Sequence, residues 1–171
     1  MKLIDQQSNV LASVRIAEKI LGVDNSLEVI FKDPQYFSEK DVSAVFIKEG
    51  YYIVFNNYFI SSASLPEIMI TGFHETRHAY QYMQIEYGKK IPFKYQDEQN
   101  VLDDWKKDFD NPKQPNEMTK EEYINRPTEV DAIAFSYYLA DKLLNVKQLI
   151  PEEIKDKVLK KVEKFKRTIV I

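Results

Sequence analysis

The segment His74-Glu75-Thr76-Arg77-His78 contains both histidines of the 171-residue chain. Side chains four residues apart project from the same face of an α-helix, so both imidazoles can reach one metal ion. The glutamate between them then lies beside the coordination position that is left for water or substrate. This spacing predicts a Zn²⁺ site on a helix, and no other segment carries a comparable functional signal.

The helix that carries this segment has clear boundaries in the sequence. Ser64-Leu65-Pro66-Glu67 combines capping-box spacing with an early proline, and Gly88 follows Tyr87, the last residue of the helical pattern. Gly72 lies inside this helix at a cost of about 1 kcal/mol relative to alanine. Two interpretations of Gly72 stand side by side: another backbone or a ligand comes close there, or the helix tolerates the glycine.

Length and composition favour a single folded domain over residues 1–171. The hydrophobic fraction of 44% and the charged fraction of 30% are typical of a globular protein. The net charge of -3 provides no strong field for a polyanion, so nucleic acid is not expected as a partner. Neither a signal peptide nor a membrane span is visible, which predicts a soluble cytoplasmic protein without a membrane partner.

The remaining pattern predicts an α+β fold. Apolar residues recur at helical spacing over roughly residues 6–21. Residues 27–31 read as a strand, and the segments 42–48 and 51–56 flank Glu49-Gly50, which suits a tight hairpin turn. We therefore expect a small antiparallel or mixed sheet between an N-terminal helix and the helix of the histidines.

The C-terminal half reads as further helices. The segment from Lys89 to Met118, interrupted by Pro92, Pro112 and Pro115, is interpreted as an insertion with one short helix whose apolar face contains Val101, Leu102, Trp105 and Phe109. Thr119 to Glu122 offers a second capping box, and Pro127 either begins another helix or kinks this one before residues 129–144. Pro151 opens the final helix, with one apolar stripe formed by Ile154, Val158, Val162, Phe165 and Ile169.

Residue types narrow the choice of a third metal ligand. The chain has no cysteine and no third histidine, so the ligand that joins His74 and His78 must be a carboxylate. We favour Glu129, which lies at a helix start among small and apolar residues, where a buried carboxylate needs a partner. Glu121, Glu122 and Asp131 are weaker candidates, and helix capping explains the first two.

With these residues, the chain resembles the zincin metallopeptidases of the gluzincin type, specifically a small minimal zincin. The resemblance rests on Phe73 to Gln81 and on Pro127 to Ala132, and Glu129 follows His78 by 129 − 78 = 51 positions. It implies a zincin-like fold in which the small sheet packs on the active-site helix and the preceding sheet, including residues 51–56, borders the substrate cleft. One departure is Ile133, where thermolysin-like enzymes carry an aspartate that orients a histidine ligand. Asp131 points roughly 200° away from Glu129 around the helix, so its spacing does not assign it that role.

The predicted function is zinc-dependent hydrolysis of a peptide bond in a peptide or protein substrate. Zinc would polarise the substrate carbonyl and activate the attacking water, and Glu75 would act as the general base. Tyr123, Arg126 and Tyr137 are candidate donors to the oxyanion, although surface or core packing is favoured over that role for each of them. The alternative is a zincin-like module that binds a partner without cleaving it.

Two further groups are assigned packing or solvent positions from the sequence. Arg77 is expected to be an exposed helical arginine without a role. Core packing is favoured over a substrate cleft for six aromatic residues: Tyr51, Tyr52, Tyr80, Tyr82, Tyr87 and Trp105.

Overall fold

The chain folds into an α+β arrangement in which a three-stranded sheet packs against helices. The structure is a computed structural model that describes residues 3–23, 27–37, 39, 41–88, 90–111, 113 and 117–171. The strands in these ranges are β1 (Glu28–Lys32), β2 (Ala44–Ile47) and β3 (Tyr52–Asn56). The α-helices are α1 (Leu3–Leu21), α2 (Asn57–Ser62), α3 (Leu65–Tyr87), α4 (Gln99–Phe109), α5 (Lys120–Ile124), α6 (Pro127–Leu139) and α7 (Lys155–Thr168). None of these helices is both long enough and apolar enough to cross a lipid bilayer.

The sheet is mixed, one of the two predicted forms. Its strand order is β1-β3-β2, with β1 parallel to β3 and β2 antiparallel to β3. The predicted hairpin joins β2 and β3, but the left-handed backbone conformation falls on Tyr51 (φ 54°) and not on Gly50. Because β3 is the central strand, its residues 53–55 are fully buried. β2 is an edge strand in the described part of the sheet.

Helix α3 is the central element of the fold and carries both histidines. Its capping box between Ser64 and Glu67 is formed, and it ends at Tyr87 before Gly88, which confirms the predicted boundaries. The helix packs against α1, α4, α6 and β2. Two buried apolar clusters hold it: one joins it to α1 and the sheet, and the other joins it to α6 and α7. Packing on several sides gives the histidines a rigid support.

Gly72 marks a close approach between two helices. A Cβ atom added there would lie 1.8 Å from Ser13 Oγ and 2.7 Å from Ser13 Cβ, on the facing helix α1. Of the two interpretations of this glycine, the structure therefore supports the close approach of another chain segment. Only glycine lets α1 and α3 come this near without a shift of one helix.

Gly72→Ala is expected to lower the free energy of unfolding by about 1–3 kcal/mol, because the new methyl group overpacks the contact with Ser13. Urea unfolding measures the change. Ser13→Gly removes both clashing atoms. In the Ser13→Gly background, Gly72→Ala should therefore cost less than half of the unfolding free energy that it costs in the wild type. Equal stability of Gly72→Ala and the wild type would contradict this account of the contact.

The C-terminal helices also follow the sequence pattern, with one difference. Pro127 begins a new helix after a break at Asn125 and Arg126, which decides between the two predictions for this proline. The α-helical part of this element ends at Leu139 and continues as a π-helical turn to Leu144. Every member of the apolar stripe predicted for the final helix is buried.

The predicted insertion contains the expected short helix. α4 spans Gln99–Phe109 and buries Leu102 and Trp105. Lys89, Pro112 and Pro115, which belong to the same prediction, lie outside the described residues. The last turn of α4 lies beside the start of α6, because Asp108 Oδ2 accepts hydrogen bonds from the backbone N–H and the hydroxyl of Thr128.

Candidate metal centre

The three predicted metal ligands meet at one point. His74 and His78 lie one turn apart on α3, and Glu129 lies in the first turn of α6. Each Nε2 atom of the two histidines is 3.3 Å from a carboxylate oxygen of Glu129. The two Nε2 atoms are 3.0 Å apart. The packing of α6 against α3 therefore brings together ligands separated by about fifty residues, and we call these three residues the His-His-Glu triad.

The separations within the triad fit a tetrahedral metal ion. Zinc takes nitrogen and oxygen ligands at about 2.0–2.2 Å, and a tetrahedron of that size has edges of about 3.3–3.6 Å. The ligand atoms of the triad lie close to this spacing, and among the described residues they form a group that could hold a metal ion. Three protein ligands are typical of catalytic zinc sites, whereas structural sites use four.

The charges of the triad also favour a bound cation. Burial lowers the pKa of His78, but the Glu129 carboxylate outweighs burial and raises that pKa to about 9. Burial raises the pKa of Glu129, and the two histidines nevertheless hold it well below its usual range. A buried carboxylate requires a positive partner, which is a proton on an imidazole or a metal ion in its place.

Glu75 lines the same cavity as His78 and Glu129 of the triad. It is only 8% exposed. Burial raises the pKa of its carboxyl group more than the histidines lower it, and the charge of Glu129 adds to the increase. The backbone of Phe46 on β2, which lines the same cleft, partly offsets this increase in the pKa. A raised pKa makes Glu75 a better proton acceptor than an exposed glutamate.

Gln81 orients one of the ligands. Its Oε1 atom is 3.0 Å from Nδ1 of His78, so it accepts the Nδ1–H and leaves the Nε2 lone pair directed at the triad. Its Nε2 atom donates to Thr128 O at 3.0 Å and to Asp131 Oδ2 at 2.8 Å. Both amide ends are thus held, which fixes the orientation of the His78 ring. A glutamine three residues after the second histidine is a sequence signal that could have identified this role.

The predictions for Arg77 and for the surroundings of Asp131 need correction. Arg77 is 1% exposed, not on the surface, and its Nε donates to Asp131 Oδ2 at 2.7 Å. Lys161 also donates to Asp131, at 3.1 Å. Asp131 is not a metal ligand but supports His78 through Gln81. The helical angle correctly separated Asp131 from Glu129, but it could not show that a glutamine on another helix connects it to the ligand.

Aromatic side chains explain how a buried arginine is tolerated at this place. The guanidinium carbon of Arg77 lies 5.1–5.5 Å from the ring centres of four side chains: Tyr80, Trp105, Phe135 and Phe165. Cation–π contacts of this kind add to the ion pairs with Asp131 and Asp97. Tyr80 and Trp105 are buried in the core, as predicted.

A cleft opens beside the triad. This cavity of about 370 Å³ is lined by Glu75, His78 and Glu129, by residues 44–49, and by the last turn of α4 and the segment around Tyr123. The strand that borders it is the edge strand β2. The expectation that the preceding sheet borders the cleft therefore holds for β2 but is wrong for residues 51–56, most of which form the central strand between β1 and β2.

The candidate oxyanion donors fall into two groups. Tyr123 and Arg126 line the cleft, whereas Tyr137 packs against the core cluster of α6 and α7. Burial, together with the charges of Glu129 and Glu75, raises the pKa of the Tyr123 hydroxyl well above that of a free tyrosine. It therefore stays protonated and can donate. Glu122 caps α5 through Thr119, as predicted, and Glu121 lies exposed in the same turn.

Replacing Gln81 by methionine is expected to weaken zinc binding by about 10- to 100-fold, because His78 loses the acceptor that orients its ring. Competition with a fluorescent chelator measures the affinity. Gln84→Met is the matched control, since Gln84 is also buried on α3 but bonds Tyr95 and Asp97. The same loss in both variants would indicate a general disturbance of α3 and would contradict the orienting role.

Comparison of the chain with protein-family models, with curated protein sequences and with solved structures gives no match.

Proposed function

We propose that this protein is a zinc metallopeptidase of the zincin type. The observation that carries the proposal is the convergence of His74, His78 and Glu129 on one point, with Glu75 buried beside them. Two imidazoles and a carboxylate are the ligand types of a catalytic His₂Glu zinc site. The triad contains no sulfur ligand. Its two imidazole nitrogens favour zinc over magnesium or calcium, which prefer oxygen ligands.

The chain's own residues supply the acid–base chemistry. Zinc held by the triad would provide a Lewis acid that polarises the substrate carbonyl and lowers the pKa of water. Glu75 accepts a proton from the attacking water and passes it to the nitrogen of the departing amine. Tyr123 donates a hydrogen bond to the oxyanion that develops on the carbonyl oxygen. Its hydroxyl is suited to this role because its raised pKa keeps the proton in place.

The edge strand beside the triad supports a polypeptide as the substrate. β2 lines the cleft over its whole length, and pairing with β3 uses only one of its sides. An extended peptide can hydrogen-bond to the free side of such a strand, which would carry its backbone past Glu75 and the triad. Main-chain recognition of this kind suits an enzyme that cleaves a peptide bond.

Metal analysis of the purified protein tests the proposal. We expect close to one equivalent of zinc in the wild type. His78→Ala deletes a metal ligand. It should therefore lower the affinity for zinc by more than the roughly 10- to 100-fold loss expected when a residue that only orients a ligand, such as Gln81, is replaced. Excess zinc should also raise the stability of the wild type, by about 4 kcal/mol at a thousandfold excess over Kd, but not that of the variant. A wild-type protein that binds no zinc and shows no response to it would refute the proposal.

A further inference from the structure

Two cations meet at the end of the cleft formed by the last turn of α4. Lys48, just after β2, donates from Nζ to the carbonyl oxygen of Phe109 at 2.7 Å. Arg126, just before α6, donates from Nη2 to the neighbouring carbonyl oxygen of Asp108 at 2.6 Å. Since the two carbonyls belong to consecutive residues, the positive side chains are held side by side. Both line the same cavity as Glu75, His78 and Glu129.

The protein neutralises this pair only in part. Within the described residues, Lys48 has no carboxylate in ion-pair range, and the carboxylate near Arg126 is Asp108, 3.7 Å from Nε. Asp108 is already engaged through its other oxygen by Thr128. The carboxyl-terminal end of α4 contributes about half a negative charge, which does not balance two cations.

Arg126 also has an unused donor. Its Nε atom is buried and has no hydrogen-bond partner among the described residues. A buried N–H without an acceptor is costly, so such groups commonly find one in a ligand. The planar guanidinium matches a carboxylate in particular, because two of its N–H groups can point at the two oxygens.

The cationic pair lies next to the reaction centre. Arg126 precedes Glu129 by about one helical turn. Its guanidinium carbon lies 5.9 Å from the centre of the Tyr123 ring, which lines the same cleft as Glu129. We infer that Arg126, assisted by Lys48, binds a carboxylate of the substrate close to the bond that is cleaved. This inference rests on the proposed peptidase function and adds its substrate class: peptides with an acidic side chain or a free C-terminal carboxylate near that bond.

Equilibrium binding separates this inference from catalysis. The zinc-loaded Glu75→Gln variant would be titrated with three fluorescein-labelled octapeptide pools, followed by fluorescence anisotropy. The first pool has a C-terminal amide and no acidic residue, the second a free C-terminal carboxylate, and the third a C-terminal amide and one glutamate. We expect the second or the third pool to bind at least about tenfold more tightly than the first, as a charge-assisted bidentate contact implies. The pool that binds more tightly shows whether the recognised carboxylate belongs to a chain end or to a side chain.

Variants of the cationic pair identify the group that selects. Adding Arg126→Met should abolish the preference, and Arg126→Lys, which keeps the charge and loses the fork, should reduce it. Lys113→Met is the matched control, because Lys113 lines the same cleft and approaches Glu122 only at 3.9 Å. The preference should survive this loss of one charge. If Arg126→Met does not fold, Arg126→Lys and Lys48→Met carry the test.

The inference would be overturned if the three pools bound equally, if no pool bound, or if the preference persisted without Arg126. These outcomes are distinct from failure of the proposed function. If the proposed function fails, zinc does not bind or hydrolysis does not depend on Glu75. If only the cationic subsite is absent, the protein binds zinc and cleaves neutral peptides as readily as acidic ones.

Discussion

Zinc-loaded Glu75→Gln protein is expected to keep its metal and to hydrolyse a denatured protein substrate about 10² to 10⁴ times more slowly than the wild type. Glutamine preserves the shape of the side chain but cannot take the proton of the attacking water. The effect should fall on kcat, because the substrate contacts along β2 and the triad remain. Release of fluorescence from a labelled, denatured protein measures the rate, and metal analysis of the same sample measures zinc.

The matched control for this variant is Glu86→Gln. Glu86 lies on the same helix, but it is exposed and distant in sequence from both histidines, so hydrolysis should be unchanged. Wild-type activity that persists in Glu75→Gln would mean that Glu75 is not the base. A different outcome would identify the zincin-like binding module: the wild type and Glu75→Gln would bind zinc and a partner protein equally well, and neither would cleave that partner.

Asp131→Asn is expected to lower the free energy of unfolding by about 3–5 kcal/mol, because it removes the closer of the two carboxylates that compensate buried Arg77 and leaves only Asp97, at 3.4 Å. Typical domains have only about 5–15 kcal/mol in total, so this is a large fraction of the stability. Burial raises the pKa of Asp131, but Arg77 and Lys161 outweigh it and hold the pKa well below the usual range. The carboxylate therefore stabilises the fold fully above about pH 4, the pKa of aspartate in an unfolded chain, and the contribution is lost as the pH falls toward the lower folded-state value. Urea unfolding at several pH values measures both effects.

Two comparisons isolate the buried charge as the cause. Glu163→Gln removes an exposed ion pair with Lys166 and should leave stability unchanged, since such pairs contribute little. Replacing both members of the buried pair, in Arg77→Met with Asp131→Leu, should recover most of the loss. Both fully buried charges are then gone, Asp97 keeps Lys164 as its partner, and Lys161 is partly exposed to solvent. If Asp131→Asn is as stable as Glu163→Gln, the buried pair does not have the importance assigned to it.

Features set by local patterns were predictable from the sequence. The capping box at Ser64, the end of α3 at Tyr87 and the apolar stripe of α7 depend on residues a few positions apart, so helical periodicity is enough to place them. Glu129 could be named for a related reason. Without cysteine or a third histidine, few ligand types remained, and the helix start at Pro127 selected one acidic residue.

Features that depend on contacts between distant segments were not predictable. The left-handed residue of the hairpin is Tyr51, whose ring stacks near those of Phe46, Tyr82 and Tyr87. The strand along the cleft is β2, because the order β1-β3-β2 places it at the edge. Hydrophobic alternation identifies strands but does not say which of them is central.

The sequence by itself determined the candidate ligand set, the helices that carry it and the candidate general base, because two histidines four residues apart share one helix face whatever surrounds them. Only the tertiary structure decided which residues support that set. Arg77 and Gln81 become buried when α6 and α7 pack on α3, and Asp131 reaches His78 only through the side chain of Gln81. The physical reason is that burial and hydrogen bonding between helices depend on how distant segments pack, whereas helical spacing depends on neighbours in the chain.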